Sequence, residues 1–267
     1  MASGDLLQLS RPEAGIAVLT LARPAAHNAM NVALRVALAD RLDAVSSDQT
    51  VRAVIIGGKG LSFSAGSDLK EAARLDPAER SPSWSRLWSV LEDCSKPTIA
   101  AVEGRAFGAG FELALACDLL VAGRSARFAL PEVRFGFVPA GGGASRLSRL
   151  VGKHRAMRLI LAAEEIDAVE ADALGMLSTL APEGEASREA MILARRIAAM
   201  PPRATAAATT ILRRGLGMPL LEALQLERRT LAEIDGGDEQ RNYAASFAAR
   251  GDRQDVGDED APHKTHC

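Results

Sequence analysis

The chain has 267 residues, of which 48% are hydrophobic and 25% charged, and its formal net charge at pH 7 is −2. This length suits one large globular domain, with or without a small appendage. The near-neutral charge and the lack of a lysine-rich segment argue against a nucleic-acid partner or an anionic membrane surface. No apolar run approaches the roughly 20 residues of a membrane-spanning helix, and the first ten residues lack a signal-peptide pattern, so we expect a cytoplasmic protein.

The first part of the chain alternates short apolar runs with amphipathic segments. An amphipathic helix with Asn31 as its N-cap is predicted between the first two of four strands. The predicted strands are Gly15–Leu21, Val51–Ile56, Thr98–Val102 and Asp118–Val121. Strands that alternate with helices indicate an α/β architecture.

The pattern becomes mostly helical after about Gly141. The predicted helices are Ala144–Leu150, Lys153–Ala162, Ala168–Met176, Glu185–Met200, Pro202–Leu216, Leu220–Ile234 and Asp238–Ala249. Pro201 and Pro202 interrupt this pattern, and we place a domain boundary there. The sequence thus predicts a core domain at residues 1–200, a helical region at 201–250 whose apolar stripes need a partner surface, and a disordered acidic tail at 251–267.

Two turns rich in small residues have the composition of an anion-stabilising site. Phe63–Glu71 follows a buried strand, and Gly104–Glu112 joins a second strand to a helix that begins at Ala109. The first N–H groups of a helix have no internal partner and lie at its positive end. Small residues in such turns let a ligand oxygen approach the backbone. The glycines of Gly104–Glu112 do not match the dinucleotide-binding pattern, and the earlier Gly57–Gly60 does not match the P-loop pattern.

Two carboxylates accompany these turns. Glu112 lies one turn into an apolar helix, where it is either functional or simply stabilised by the helix N-terminus. Glu132 follows a short strand and Pro131, and by itself it is typical of a solvated loop residue in an ion pair. Two carboxylates together with two sets of backbone donors are what a site needs to stabilise an oxyanion while protons move.

Four segments resemble, in order and spacing, the enoyl-CoA hydratase/isomerase (crotonase) family: Arg23–Asn31, Phe63–Glu71, Lys96–Asp118 and Phe128–Leu147. The resemblance extends over about residues 10–250. It implies an α/β fold made of a spiral of β-β-α units, followed by a C-terminal helical trimerisation region, and hence a homotrimer or homohexamer. It also implies an acyl-CoA thioester substrate and no metal or other cofactor, because coenzyme A is part of the substrate.

The resemblance also implies roles for individual residues. The backbone N–H groups of Ser67 and Ala109 would form the oxyanion hole, and Glu112 and Glu132 would be the catalytic pair. Glu132 is predicted to give a proton to C2 of a 2-enoyl thioester, while Glu112 positions and activates the water that attacks C3. The implied substrate-binding residues are Ala65, Gly66, Asp68, Lys70, Gly108, Gly110 and Gly141.

The leading interpretation is hydration of a 2-trans-enoyl-CoA to a 3-hydroxyacyl-CoA. One alternative is isomerisation of a 3-enoyl-CoA to a 2-enoyl-CoA by a single glutamate. The other is a catalytically silent acyl-CoA-binding protein, because Phe111 replaces the usual small residue and would block the water position. Trp84 and Trp88, four residues apart, are predicted to pack in the core or in a lid over the acyl chain, and secondarily to line the substrate.

Overall fold

A computed structural model describes residues 6–254 of the chain. The protein folds into two compact units, with the boundary between Met200 and Pro201. The described part of the first unit mixes strands and helices, whereas the described part of the second contains helices and short connections.

The first unit supplies all ten strands of the described chain. Its elements, in chain order, are β1 (Leu7–Glu13), β2 (Ile16–Leu21), α1 (Val32–Ser47), β3 (Ala53–Gly58), β4 (Ser62–Ser64), α2 (Leu69–Ala72), α3 (Pro77–Glu92), β5 (Thr98–Val102), β6 (Arg105–Phe107), α4 (Ala109–Ala116), β7 (Leu119–Gly123), β8 (Arg127–Ala129), α5 (Gly143–Val151), α6 (Lys153–Leu161), β9 (Ile166–Asp167), α7 (Ala168–Ala173), β10 (Thr179–Ala181) and α8 (Ala186–Ala198).

The larger sheet has six strands in the order β1-β2-β3-β5-β7-β10, and only the β1–β2 pair is antiparallel. Both faces of this sheet are covered. Val54 and Ile56 of β3 pack into one hydrophobic cluster, whereas Ala53 and Ile55 pack into a second cluster with α8. A strand that is buried on both faces needs apolar residues at every position, which explains the continuous apolar run in this part of the sequence.

The smaller sheet has the order β4-β6-β8-β9, and its first three strands are parallel. The pairs β3–β4, β5–β6 and β7–β8 each place one strand in the larger sheet and the next in the smaller one, which is the predicted spiral of β-β-α units. Because β4, β6 and β8 are parallel neighbours, the segments that follow them lie at one edge of this sheet. Those three segments contain Ser67, Ala109 and Glu132.

Several elements differ from the prediction, including the short strands β4, β6, β9 and β10, which were not predicted. β1 was not predicted, since Leu7–Glu13 is largely polar and includes a proline, features that an edge strand tolerates. β3 includes Gly57 and Gly58, the residues expected to end it. The last helix continues to Gln254 instead of ending at Ala249, so residues 251–254 of the predicted disordered tail are helical; residues 255–267 lie outside the described residues.

The described part of the second unit contains α9 (Pro202–Gly215), α10 (Leu220–Ile234) and α11 (Asp238–Gln254). Pro202 occupies the first position of α9, where its missing N–H costs no hydrogen bond. Large apolar side chains of this unit are left exposed, among them Leu216 at 82% and Leu220 at 75%. Within residues 6–254, no helix combines the length and the apolar character needed to cross a membrane.

Candidate active site

The turn after β4 packs directly against the start of α4. Gly66 has a φ of +91°, a conformation that residues with a side chain rarely adopt. A β-carbon added there would lie 2.5 Å from the carbonyl oxygen of Phe107 and 3.2 Å from the backbone nitrogen of Ala109. Only glycine therefore allows the two small-residue turns to come this close.

Ser67 is held by a short parallel pairing with Met30. The N–H of Met30 donates to the Gly66 carbonyl at 2.7 Å, and the Met30 carbonyl accepts the Asp68 N–H at 3.3 Å. In this pairing Ser67, between Gly66 and Asp68, directs its own N–H away from Met30. Within residues 6–254, neither the Ser67 N–H nor the Ala109 N–H has a hydrogen-bond acceptor, so both can donate to a ligand oxygen.

Glu112 is buried on α4, with 4% of its surface exposed. Its Oε1 atom accepts hydrogen bonds from the N–H groups of Gly141, at 2.7 Å, and Gly143, at 2.9 Å. Burial raises the pKa of Glu112 above its usual value, while the two backbone hydrogen bonds and the charge of Arg146 act in the opposite direction. One oxygen is thus fixed by the loop before α5, and Oε2 makes no hydrogen bond to any described residue.

Glu132 begins the 3-10 turn that follows β8 and Pro131. Its carboxylate faces the N-terminus of α4, since a β-carbon on Gly108 would lie 2.9 Å from Glu132 Oε1. The Oε2 atom is shielded from solvent and has no hydrogen-bond partner among the described residues. Burial, assisted by the nearby charge of Glu112, raises the pKa of Glu132 to about 7. This carboxyl group can therefore both give and take a proton near neutral pH.

Trp84 and Trp88 on α3 form a stacked pair, and Trp88 lies next to the loop that holds Glu112. Their rings stack with centroids 5.6 Å apart and an interplanar angle of 10°. A β-carbon on Gly141 would clash with the Trp88 ring and would lie 2.8 Å from Glu112 Oε2. The aromatic pair therefore packs against the loop that holds Glu112, as expected for a covering helix.

Comparison with known proteins agrees with this architecture. A family model described as Enoyl-CoA hydratase/isomerase matches residues 11–254. The chain belongs to this enoyl-CoA hydratase/isomerase family. The resemblance inferred from the four sequence segments is thus confirmed, and with it the expectation of an enzyme of the enoyl-CoA hydratase family.

Relatives within the family extend over most of the chain. The protein is 39% identical to 2,3-dehydroadipyl-CoA hydratase of Escherichia coli (strain K12), over 87% of this chain and 91% of that protein. It is 38% identical to mitochondrial methylglutaconyl-CoA hydratase of Mus musculus, over 84% of this chain and 74% of that protein. A crystal structure of an enoyl-CoA hydratase subunit from Geobacillus kaustophilus HTA426 has a TM-score of 0.87 and 32% identity, covering 92% of this chain and 95% of that one.

In this member of the enoyl-CoA hydratase/isomerase family, Phe111 packs in the hydrophobic core. Phe111 is 1% exposed, and its ring centroid lies 5.1 Å from that of Phe128 in the hydrophobic core. The ring of Phe111 thus packs against Phe128, and the expectation that its bulk blocks the water position stays a prediction. Phe137, in contrast, is exposed, and the guanidinium carbon of Arg80 lies 5.7 Å from the centroid of its ring.

The predicted substrate-binding residues fall into two groups. Gly108 and Gly141 border the two carboxylates, as described above, and Gly110 seats α4 on β4, since its β-carbon would lie 2.5 Å from the Ser64 carbonyl oxygen. Asp68 instead caps α2 and forms an ion pair with Arg23 at 3.0 Å. Ala65 donates its N–H to the His27 carbonyl at 2.9 Å, and Lys70 is exposed on α2.

Sequence reasoning missed Gly143 and Arg146 in this enzyme. Gly143 donates the second hydrogen bond to Glu112, and Arg146 donates to the Gly141 carbonyl at 2.8 Å. The three consecutive glycines at 141–143 were the available signal, since such a run lets backbone N–H groups converge on one acceptor. Residues 6–254 contain no group of three or more His, Cys, Asp or Glu side chains that could hold a metal ion.

Proposed function

We propose that this protein adds water to a 2-trans-enoyl-CoA thioester and releases a 3-hydroxyacyl-CoA. The observation that carries the proposal is the pair of carboxylates, Glu112 and Glu132, placed beside two unpaired backbone N–H groups at one edge of the smaller sheet. Relatives named as hydratases at 34–39% identity support the same reaction class.

In the proposed reaction the thioester oxygen accepts hydrogen bonds from the N–H groups of Ser67 and Ala109. Attack at C3 moves charge onto this oxygen and produces an enolate. Because both donors are fixed by the backbone before the substrate arrives, they stabilise the developing charge without reorganisation, an effect worth about 10²–10³ in rate per donor. The addition of water is redox-neutral and requires no cofactor beyond the CoA of the substrate.

The two glutamates divide the proton transfers. Glu112 is held through Oε1, so Oε2 remains to orient a water molecule and take its proton as the oxygen bonds to C3. Glu132, with its pKa raised to about 7, supplies the proton that C2 receives. One proton leaves the water and one reaches C2, and exchange of a proton between the coupled acids restores the starting state.

The isomerase and silent-binder alternatives fit the site less well. Moving a double bond needs a single carboxylate that shuttles one proton, whereas this site fixes a second carboxylate with two backbone hydrogen bonds. The silent-binder alternative depended on Phe111, whose side chain lies in the core.

Loss of enoyl-thioester absorbance tests the proposal. We would use crotonyl-CoA, longer 2-enoyl-CoAs and 2,3-dehydroadipyl-CoA, the last because of the name of one relative. Glu112→Gln and Glu132→Gln should each lower kcat by about 10²–10⁴, the usual contribution of a general acid or base. Glu183→Gln, an exposed control, should match the wild type. A folded wild type that binds CoA but consumes no 2-enoyl thioester would refute hydration, and 3-enoyl-CoAs would then test isomerisation.

We also propose that the protein assembles as a homotrimer or homohexamer. The support is the exposed apolar surface of the second unit, where Leu216 and Leu220 are mostly uncovered in a single chain.

A further inference from the structure

Arg35 is a charged residue inside the core, with only 2% of its surface exposed. A guanidinium in such a position is destabilising unless its donors find partners. Its Nε donates to Ser83 Oγ at 2.9 Å, its Nη1 donates to the Met30 carbonyl at 2.8 Å, and its guanidinium carbon lies 4.3 Å from the centroid of the Trp84 ring. These partners lie on two sides of the candidate site.

The first side is the turn after β4 that carries the Ser67 N–H, called the oxyanion turn below. Met30 is the residue that pairs with Ser67, donating to the Gly66 carbonyl and accepting the Asp68 N–H. Arg35 donates to the same Met30 carbonyl oxygen. The guanidinium therefore fixes the short segment that directs the Ser67 N–H.

The second side is the stacked Trp84–Trp88 pair next to Glu112. Trp84 contacts the Arg35 guanidinium and stacks on Trp88. Trp88 in turn packs against Gly141, whose N–H donates to Glu112 Oε1 at 2.7 Å. One guanidinium is thus in contact with both the oxyanion turn and the aromatic pair next to the water-activating carboxylate.

The burial of this charge is incompletely compensated. Arg35 Nη2 is shielded from solvent, makes no hydrogen bond to any described residue, and lies 3.9 Å from Glu71 Oε2. Replacing a buried charge with an apolar side chain of similar volume is often neutral or stabilising. A residue needed only for packing would therefore not require a guanidinium at this position.

We propose that Arg35 is a positioning residue that sets the spacing between the Ser67 N–H and the Glu112 carboxylate. It acts on Ser67 through Met30 and on Glu112 through the stacked Trp84 and Trp88. This inference rests on the proposed hydratase function. A rigid planar cation with several donors suits this task, since a lysine could not donate to Ser83 and Met30 in the same fixed geometry.

Kinetics provide the first test. Arg35→Met keeps an unbranched side chain but removes every donor, and it should lower kcat with crotonyl-CoA by about 10–100-fold, the scale expected for a small misplacement of reacting groups. KM should change by less than about 3-fold, because Arg35 is buried and has no surface that a substrate could contact. The kcat of Arg35→Lys should lie between those of the wild type and Arg35→Met. Arg41→Met, at an exposed position of the same helix, is the matched control and should behave as the wild type.

Spectroscopy separates positioning from a general loss of structure. The chain has two tryptophans, Trp84 and Trp88, so its tryptophan fluorescence comes only from the stacked pair, which also dominates its near-UV circular dichroism. The probe is 4-(dimethylamino)cinnamoyl-CoA, whose absorption moves to longer wavelength as hydrogen-bond donors polarise its carbonyl. Arg35→Met should change the tryptophan signals and reduce the shift of the bound probe, and Arg35→Lys should restore part of both.

Several outcomes would overturn the inference. The first is a folded Arg35→Met protein with the kcat, tryptophan signals and probe shift of the wild type. The second is a kcat loss no larger than the loss of folded protein, with an unchanged probe shift. If Arg35→Met does not fold, Arg35→Lys and Ser83→Ala decide, and wild-type values of all three readouts in both would refute it. If the wild type hydrates no enoyl-CoA, the proposed function fails, while the tryptophan and probe measurements still test Arg35.

Discussion

Glu112 and Glu132 differ in what surrounds their carboxylate oxygens. Two backbone N–H groups point at Oε1 of Glu112, and hydrogen bonds of this kind favour the ionised form. Glu132 has a buried oxygen without any partner in the described chain, and burial favours the protonated form. Burial raises the pKa of both groups, but two backbone donors from Gly141 and Gly143 oppose the rise at Glu112. The difference in surroundings suits the two glutamates to opposite proton-transfer roles.

The pH dependence of the rate follows from this difference. If Glu132 must carry the proton that reaches C2, kcat/KM should fall as the pH rises through about 7, its raised pKa. If Glu112 must be ionised, kcat/KM should also fall at low pH, at a value above the usual glutamate pKa. Initial rates with crotonyl-CoA from pH 5 to 9 would test this, and a constant rate between pH 6 and 9 would contradict the role of Glu132.

Glu132 should also reduce stability at neutral pH. Its pKa is about 7 in the folded protein and near the usual glutamate pKa of 4.5 in the unfolded chain, so the folded state binds the proton more tightly. Stability from this group is present below pH 4.5 and is lost as the pH rises to about 7. Glu132→Gln should therefore raise the unfolding midpoint at pH 8 and leave it nearly unchanged at pH 4. Urea denaturation measures this, with Glu183→Gln as the control without an effect.

At the scale of single elements, the turn after β4 depends on Gly66. Alanine there would combine an unfavourable φ with a clash against the Phe107 carbonyl oxygen. Gly175 has a similar φ of +74° but nothing within 4 Å of an added β-carbon. Gly175→Ala should therefore cost about 1–2 kcal/mol of stability at full activity. Gly66→Ala should lower kcat by more than about 10²-fold, because the Ser67 N–H moves. Similar activities for the two folded variants would contradict this role of Gly66.

The features that could be predicted from the sequence are those set by local pattern. Asn31 was predicted as an N-cap, and its side chain accepts the Leu34 N–H at 3.0 Å, which confirms it. The spiral fold and the family followed from ordered segments along the chain. The direction of Phe111 and the contacts of Arg35 did not, because each depends on which residues from distant elements pack around the side chain. Tertiary packing, more than local pattern, decided those positions.

At the scale of the whole molecule, the second unit leaves a large apolar surface on its helices. Light scattering should give three or six times the chain mass of 28.1 kDa if the proposed assembly is correct. The double substitution Leu220→Glu with Leu221→Glu should lower this mass, since both side chains are exposed and apolar. Gln225→Glu adds a charge on the same helix without removing apolar surface and should not. A wild type with the mass of one chain would refute the assembly.

The edge of the smaller sheet receives one contribution from each of three β-β-α units. Those units follow one another along the chain, but Ser67, Ala109 and Glu132 come from different units, separated by 42 and 23 residues. Contacts between such separate segments form late, because the entropy of closing the intervening loops must be overcome first. A refolding intermediate can therefore contain most of its helices and strands while its oxyanion turn and its two carboxylates are still separated. Turnover, more than helix content, would mark the moment at which this chain has finished folding.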